Sequence, residues 1–424
     1  MNHFELRSGE LWCEDVPLTR IAEVVDTPVY VYSTATLERH FTVFRDAFAA
    51  HRATLGDPLV AYAVKANGNV SVLRTLARLG AGADTVSEGE IRRALAAGVP
   101  ADRIIFSGVG KTDGELGFAI DAGVHQINVE SAPELERLAA VAAARGAAAP
   151  VALRVNPEVK AGGHDKIATG KADSKFGVVM AEVEALYARV CADPSLRPAG
   201  LACHIGSQIT DLAPLEETYR KLRALVERLR GQGLTVDRLD LGGGLGAPYF
   251  NQPEPPGPEA LAALVARVFG GLGVRLAFEP GRMIAANAGV LLTRVVHVNA
   301  RPDGRRFLVL DAGMNDLLRP AMYDAYHDLR PVRPLGGEAL TYDIVGPVCE
   351  SSDVFAVQRP LPRLVGDDLV VFMTAGAYGA AMASEYNTRP LVPEVLVNGG
   401  EFAVVRARET YDQILAREAP APWL

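Results

Sequence analysis

The chain has 424 residues, with 43 lysines and arginines against 51 aspartates and glutamates, for a formal net charge of −8. That balance argues against nucleic acid or an anionic membrane surface as the main partner, and the length exceeds one average domain, so two domains are expected. The opening residues are too acidic for a signal peptide and no apolar run reaches the roughly 18 residues of a membrane span, so a cytoplasmic protein is expected.

In chain order, "FELRSGELWCEDVPL" and "PVYVYS" read as strands, expected to join a sheet formed later in the chain. From Leu59 to Met283 one unit repeats: a short apolar strand, a small or polar turn, then an amphipathic helix. The strands are "LVAYAV", "GADTV", "RIIFS", "HQINV", "VALRV", "LACHI", "RLDL" and "VRLAF". Their continuous apolar character is that of buried parallel strands. Between them, segments such as "APELERLAAVAAARG" and "LEETYRKLRALVERLRGQG" carry apolar residues at three- and four-residue spacing and end on glycine. Eight such units predict a closed (β/α)8 barrel. One connection, "PEVKAGGHDKIATGKADSKFG", is too long and too rich in Gly and Lys for a simple turn. After Met283 the pattern changes to β-rich segments split by Pro and Gly, which predicts a second, mainly antiparallel β domain. Cys13, Cys191, Cys203 and Cys349 lie far apart without a CxxC or zinc spacing, so neither a disulfide nor a metal site is expected.

In a barrel of this kind the carboxyl ends of the strands line the active site. Those ends deliver Lys65, then Asp84 and Ser87, Glu130, Arg154 and Asn156, His204 and Ser207, Gly242 to Gly244, and finally Glu279, Gly281 and Arg282. A lysine closing an apolar strand at a barrel mouth suits a Schiff base, with either a carbonyl substrate or pyridoxal phosphate. "DLGGGLG" lets backbone N–H groups approach an anion without interference from Cβ atoms. It also satisfies a dinucleotide fingerprint at Gly242, Gly244 and Ala247, but Pro248 and "NQPEPPGP" stand where that motif needs a helix, so a monophosphate cradle is the better reading. "GVGKTDG" imitates the end of a P-loop and lacks its first glycine. Glu279 in "FEPGR" could keep a pyridine nitrogen protonated, and His204 could stack on a flat ring.

"YAVKAN", "HIGSQ", "LGGGLG", "EPGR", "GPVCESSD" and "GAYGAAMASEYN" occur in this order over nearly the whole chain. Together they resemble the fold-type III pyridoxal-phosphate-dependent decarboxylases, most closely the branch that acts on diaminopimelate. The resemblance implies an alanine racemase-like architecture, with a barrel over 33–283 and a β domain from 1–32 plus 284–424. It implies that Lys65 holds pyridoxal 5'-phosphate as a Schiff base. Gly242, Gly243, Gly244, Ser207 and the backbone of Glu279, Pro280, Gly281 and Arg282 would grip the phosphate, with Tyr378 closing over it. Glu279 would face the ring nitrogen, His204 would stack on the ring, and Asp84 would hold His204 or its neighbours. Arg282, Arg319, Tyr323 and Tyr378 would bind the substrate and Glu350 its distal amine, while Cys349 would protonate the carbanion. The Cys349 loop would serve the partner's site in a homodimer. The implied activity converts meso-2,6-diaminopimelate to L-lysine and CO2, the last step of lysine biosynthesis. The alternatives are a decarboxylase of the same fold acting on ornithine, arginine or carboxynorspermidine, a racemase needing a second base in place of the cysteine, and an inactive binding homologue.

Overall fold

Leu59–Ala63, Gly82–Thr85, Ile104–Phe106, Gln126–Val129, Ala149–Asn156, Leu196–Ala202, Arg238–Asp240 and Arg275–Phe278 are the eight expected strands. Each pairs in parallel with the next, and the eighth pairs with the first, so the sheet closes into a barrel. Closure leaves no unpaired edge, which is how near-continuous apolar strands remain safe from further association. The computed structural model describes residues 2–160, 174–251, 253–334 and 336–424. Most of the long connection after the fifth strand therefore lies outside the described residues.

The turns that follow the strands are set by helix caps. Asn69, Ser87, Thr112 and Ser131 each accept a backbone N–H in the first turn of Val70–Arg78, Glu88–Ala96, Asp113–Ala122 and Ala132–Ala144. Such a cap contributes about 1 kcal/mol and fixes where the chain turns from strand to helix. At Thr112 the cap is reciprocal, with the Glu115 side chain accepting the Thr112 N–H. "GKTDGE" is thus a helix start, and Lys111 is buried in an ion pair with Glu134 at 2.5 Å. At the eighth strand, Phe278 packs against Phe48 and Phe44 with ring centroids 4.3 and 5.9 Å apart, which anchors the backbone just before Glu279.

The described chain divides into two compact units: Glu38–Ala247 with Pro253–Ile284, which holds the barrel, and Met1–Leu37 with Pro248–Gln252 and Ala285–Leu424. In the second unit the strands run in the order Val354–Leu361, Leu340–Val345, Arg306–Leu310, Gly289–Ala300, Val29–Ser33, Glu394–Asn398, Glu401–Arg406. Two of these pairings are parallel, Arg306–Leu310 with Leu340–Val345 and Glu394–Asn398 with Val29–Ser33; the others on this path are antiparallel. "PVYVYS" joins this sheet as expected. "FELRSGELWCEDVPL" instead forms its own antiparallel sheet of Phe4–Arg7, Glu10–Cys13 and Val16–Pro17. Short tight turns let it pair with itself, while Phe4, Leu11, Cys13 and Val16 still pack into the same core as Val31, Val290 and Val395. Among the described residues no helix is long and apolar enough to cross a membrane.

Candidate active site

The first strand ends in a single 3-10 turn, Val64–Ala66, which lifts Lys65 out of the apolar run. Ala63 lies in register with Asp84 on the second strand, so the Lys65 ammonium meets the wholly buried Asp84 carboxylate, Nζ to Oδ2, at 2.6 Å. The resemblance directs Asp84 at His204 or its neighbours; its Oδ2 takes Lys65, and its Oδ1, also buried, has no hydrogen-bond partner. Ser87 caps the next helix, accepting the Glu90 N–H.

A cavity of about 440 Å³ opens in this unit, lined by Lys65, Arg154, Phe176, His204, Asp240 and Glu279 among others. His204 accepts the Gly243 N–H at Nδ1, 3.2 Å away. Burial, then the charges of Arg154 and Lys65, push its imidazole well below the usual histidine range. It is therefore a neutral, flat ring at physiological pH, with its proton on Nε2. Glu279 is pushed the other way: burial first, then the nearby Asp240 and Asp84, raise its carboxyl well above the usual range. Its Oε1 is buried and has no hydrogen-bond partner.

The glycine run is required by close packing. A Cβ on Gly242 would stand 2.5 Å from the Cys203 carbonyl oxygen, one on Gly243 2.1 Å from that of Glu279, and one on Gly244 2.3 Å from that of Gly206. Two of the three N–H groups have partners within the chain, Gly242 donating to Asp240 and Gly243 to His204. Gly281 packs as tightly, its Cβ position 2.9 Å from Ala63 Cβ. The neighbouring Arg282 is buried and donates from Nε to Ser207 Oγ at 3.1 Å.

Several participants escape a reading of the letters. Glu130 and Arg154, noted above only as strand ends, form a buried ion pair at 3.0 Å, and the Arg154 guanidinium lies 4.8 Å from the centroid of the Phe176 ring. Glu90 accepts the Val86 N–H, and burial opposed by that hydrogen bond leaves its carboxyl raised to about 7, with Asp84 adding to the rise. Asp240, at the end of the seventh strand, is buried and hydrogen-bonded side chain to side chain with Glu279. The only sign of it in the sequence is an acid inside the apolar "RLDL".

The other unit carries the remaining expected residues. Arg319 is buried, its guanidinium 2.8 Å from His327 Nε2 and 5.2 Å from the centroid of Tyr249. His327 Nδ1 donates in turn to the Met373 carbonyl, which fixes the tautomer and so the aim of the arginine. Tyr323 ends the same short helix, Arg319–Tyr323. In "GPVCESSD" the Asp353 carboxylate accepts the Met314 and Val348 N–H groups, each at 2.7 Å, and folds the loop around itself. Cys349 is exposed and its N–H donates to Asn387 Oδ1 at 2.7 Å, while Glu350 accepts from the Tyr386 hydroxyl at 3.3 Å. Two separate motifs are thereby tied together. Tyr378 sits at φ 56°, flanked by Gly376 and Gly379, whose Cβ positions are closed by backbone oxygens at 2.1 and 2.5 Å.

A family model described as the pyridoxal-binding domain of pyridoxal-dependent decarboxylases matches residues 35–286. A diaminopimelate decarboxylase of Zymomonas mobilis is 48% identical over 424 residues, 99% of each chain. One from Pseudomonas aeruginosa is 48% identical over 423 residues, covering both chains in full. Among solved structures, diaminopimelate decarboxylase from M. jannaschii in complex with L-lysine superposes with a TM-score of 0.94 at 35% identity, covering 100% of both chains.

Proposed function

Because the chain belongs to the diaminopimelate decarboxylase family of pyridoxal-dependent decarboxylases, we propose that it binds pyridoxal 5'-phosphate and converts meso-2,6-diaminopimelate to L-lysine and CO2. The observation that carries this reading is Lys65, paired with buried Asp84 at a cavity that His204 and Glu279 also line. The site fits the cofactor on two counts. The cavity-lining Glu279 has a buried oxygen without a hydrogen-bond partner, an acceptor that a ring N–H could satisfy, and Lys65 lines the same cavity, where its amine can meet a carbonyl.

When bound, the cofactor supplies an electron sink for the pair left behind as the carboxylate departs. The protein's own residues do the rest. Lys65 Nζ supplies the amine that ties the cofactor down, and Asp84 holds that nitrogen in place and balances its charge. His204, neutral and fixed by Gly243, offers a flat face that adds no competing charge. Gly244, Ser207, Arg282 and the backbone from Glu279 to Gly281 are assigned to the phosphate, with Tyr378. Substrate contacts are assigned to Arg282, Arg319, Tyr323, Tyr378 and Glu350. A guanidinium fork suits the carboxylate of the unreactive end, and Arg319 is held rigid for that task by His327 and Tyr249. Cys349 is assigned the proton given to the carbon that lost CO2. Its exposure on a single chain supports a homodimer in which this loop serves the neighbouring site.

Incubation with pyridoxal phosphate and meso-diaminopimelate should release CO2 and lysine. Turnover of ornithine, arginine or carboxynorspermidine in its place would select the rival substrate. Lys65→Ala should abolish the visible absorbance of the bound cofactor; its persistence would refute the role of Lys65. Mixed Lys65→Ala and Cys349→Ala chains should regain part of the activity, and none returning despite proven subunit exchange would rule out shared sites.

A further inference from the structure

Asp240, which is 1% exposed, belongs to a buried polar cluster of the barrel. It stands in register with Ala202 on one side and Ala277 on the other, two residues short of His204 and Glu279 along their respective chains. Its Oδ1 accepts the Gly242 N–H at 3.0 Å, and its Oδ2 accepts Asn128 Nδ2 at 3.0 Å and Gln126 Nε2 at 3.3 Å. Both amides are held by further bonds, Gln126 Nε2 to Asn128 Oδ1 at 2.9 Å and Asn128 Nδ2 to Ser107 Oγ at 3.1 Å. All three groups facing Asp240 are N–H donors, which favour an ionised carboxylate. The fourth partner is the carboxyl of Glu279. Two carboxylates cannot hydrogen-bond without a proton between them, so this pair holds one. With three donors on Asp240, that proton belongs to Glu279. Lys65, Asp84 and Cys203 are the other ionisable groups acting on the pair, and Lys65 and Asp84 are already matched to each other.

We infer that Asp240 is a positioning residue that carries the negative charge of a one-proton Asp240–Glu279 pair, so that the cofactor's ring nitrogen is held by the pair rather than by Glu279 alone. The inference rests on the pyridoxal-phosphate reading above. Glu279 meets Asp240 on one side and lines the cavity with Lys65 and His204 on the other. Passing the proton from Glu279 to Asp240 moves the charge from the rear carboxyl to the front one, and the net charge of the pair stays at −1. Neither carboxyl is then individually indispensable. In Glu279→Gln the amide N–H replaces the O–H toward Asp240, the amide oxygen still faces the ring, and the charge remains. In Asp240→Asn, Glu279 loses its like-charged neighbour and ionises itself.

The test measures pyridoxal phosphate binding and the pH dependence of its visible absorbance in four proteins: wild type, Glu279→Gln, Asp240→Asn and the double variant. Each single variant should raise the dissociation constant by less than about tenfold. The double variant should raise it by about a hundredfold or more, the scale of a lost charge-assisted hydrogen bond. The absorbance should titrate in Glu279→Gln as in wild type, and about one to three pH units lower in the double variant. A purely structural Asp240 would leave that midpoint unmoved. If Glu279→Gln is already as impaired as the double variant, Glu279 acts alone and the inference is overturned. If Asp240→Asn fails to fold, Glu279→Gln compared with Glu279→Ala decides, because alanine breaks the link to Asp240 and glutamine keeps it; equal affinities overturn the inference. Wild-type protein that takes up no pyridoxal phosphate would refute the reading of the site instead.

Discussion

Gly243→Ala is the sharpest single test of how this barrel mouth is built. The added Cβ would lie 2.1 Å from the carbonyl oxygen of Glu279 and 2.9 Å from its carbonyl carbon, whereas ordinary contact begins at 3.4 Å. One strand end must therefore move by about 1.3 Å. The obstacle is backbone, and it is tethered, since the Glu279 N–H donates to the Gly242 carbonyl at 2.8 Å and the Gly243 N–H to His204. No left-handed φ is involved, so the cost is steric. Overpacking of this kind costs about 1–3 kcal/mol. At about 2–4 °C per kcal/mol for domains of this size, the melting temperature should fall by about 2–12 °C. Because Glu279 and His204 move with the strand ends, pyridoxal phosphate affinity should fall with it. Gly231→Ala is the matched control: this residue ends the helix Ala213–Gly231 with nothing within 4 Å of its Cβ position, and the change should be neutral or stabilising by up to about 1 kcal/mol. Scanning calorimetry and cofactor titration read both effects. A Gly243→Ala protein that melts within about 1 °C of wild type and binds the cofactor as tightly would refute the packing argument.

Three further outcomes are expected. Burial and Arg238 push the His125 ring down to about 4, so between pH 4 and the ordinary histidine value of about 6.5 the unfolded chain binds a proton that the folded chain refuses, and stability falls as pH drops through that window. His125→Asn should flatten this fall by up to about 3 kcal/mol, seen in denaturant midpoints at pH 7 and pH 4.5. Glu90 has the opposite sign. Its carboxyl is raised from 4.5 to about 7, the folded chain binds the extra proton, and stability falls as pH rises through that range. Glu90→Gln keeps an acceptor for the Val86 N–H and should gain on the order of 1–3 kcal/mol over wild type at pH 8 but not at pH 4; no gain at pH 8 would show that Glu90 is ionised without cost. Finally, Lys111→Met leaves the Glu134 carboxylate buried without its ammonium and should cost about 3–5 kcal/mol, part of which Lys111→Met/Glu134→Leu should restore. Equal loss in the two would assign the cost to the Gly108 and Asn128 carbonyls that Lys111 also serves.

The barrel was legible because each of its strands is a short apolar run followed by a turn residue, and that pattern needs no partner to be recognised. Lys65, His204, Glu279 and the glycine run were legible for the same reason: they interrupt or follow apolar runs where a barrel opens. The N-terminal strands were legible as strands but not in their pairing, because their alternation is satisfied equally by the main sheet or by a small sheet of their own. Glu130 and Arg154 could be named and not paired, since they come from neighbouring strands 24 residues apart along the chain.

The order of apolar and polar residues along this chain determined its eight-stranded barrel, its second β-rich unit and the set of groups offered at the strand ends. Which of those groups meet was decided by strand register in three dimensions. Register set Asp84 beside the strand that leads to Lys65, and Asp240 between the strands that lead to His204 and Glu279. Only there do burial and neighbouring charge act, pushing the His204 imidazole down and the Glu279 carboxyl up, because a carboxyl or an imidazole takes its pKa from what surrounds it rather than from its place in the sequence.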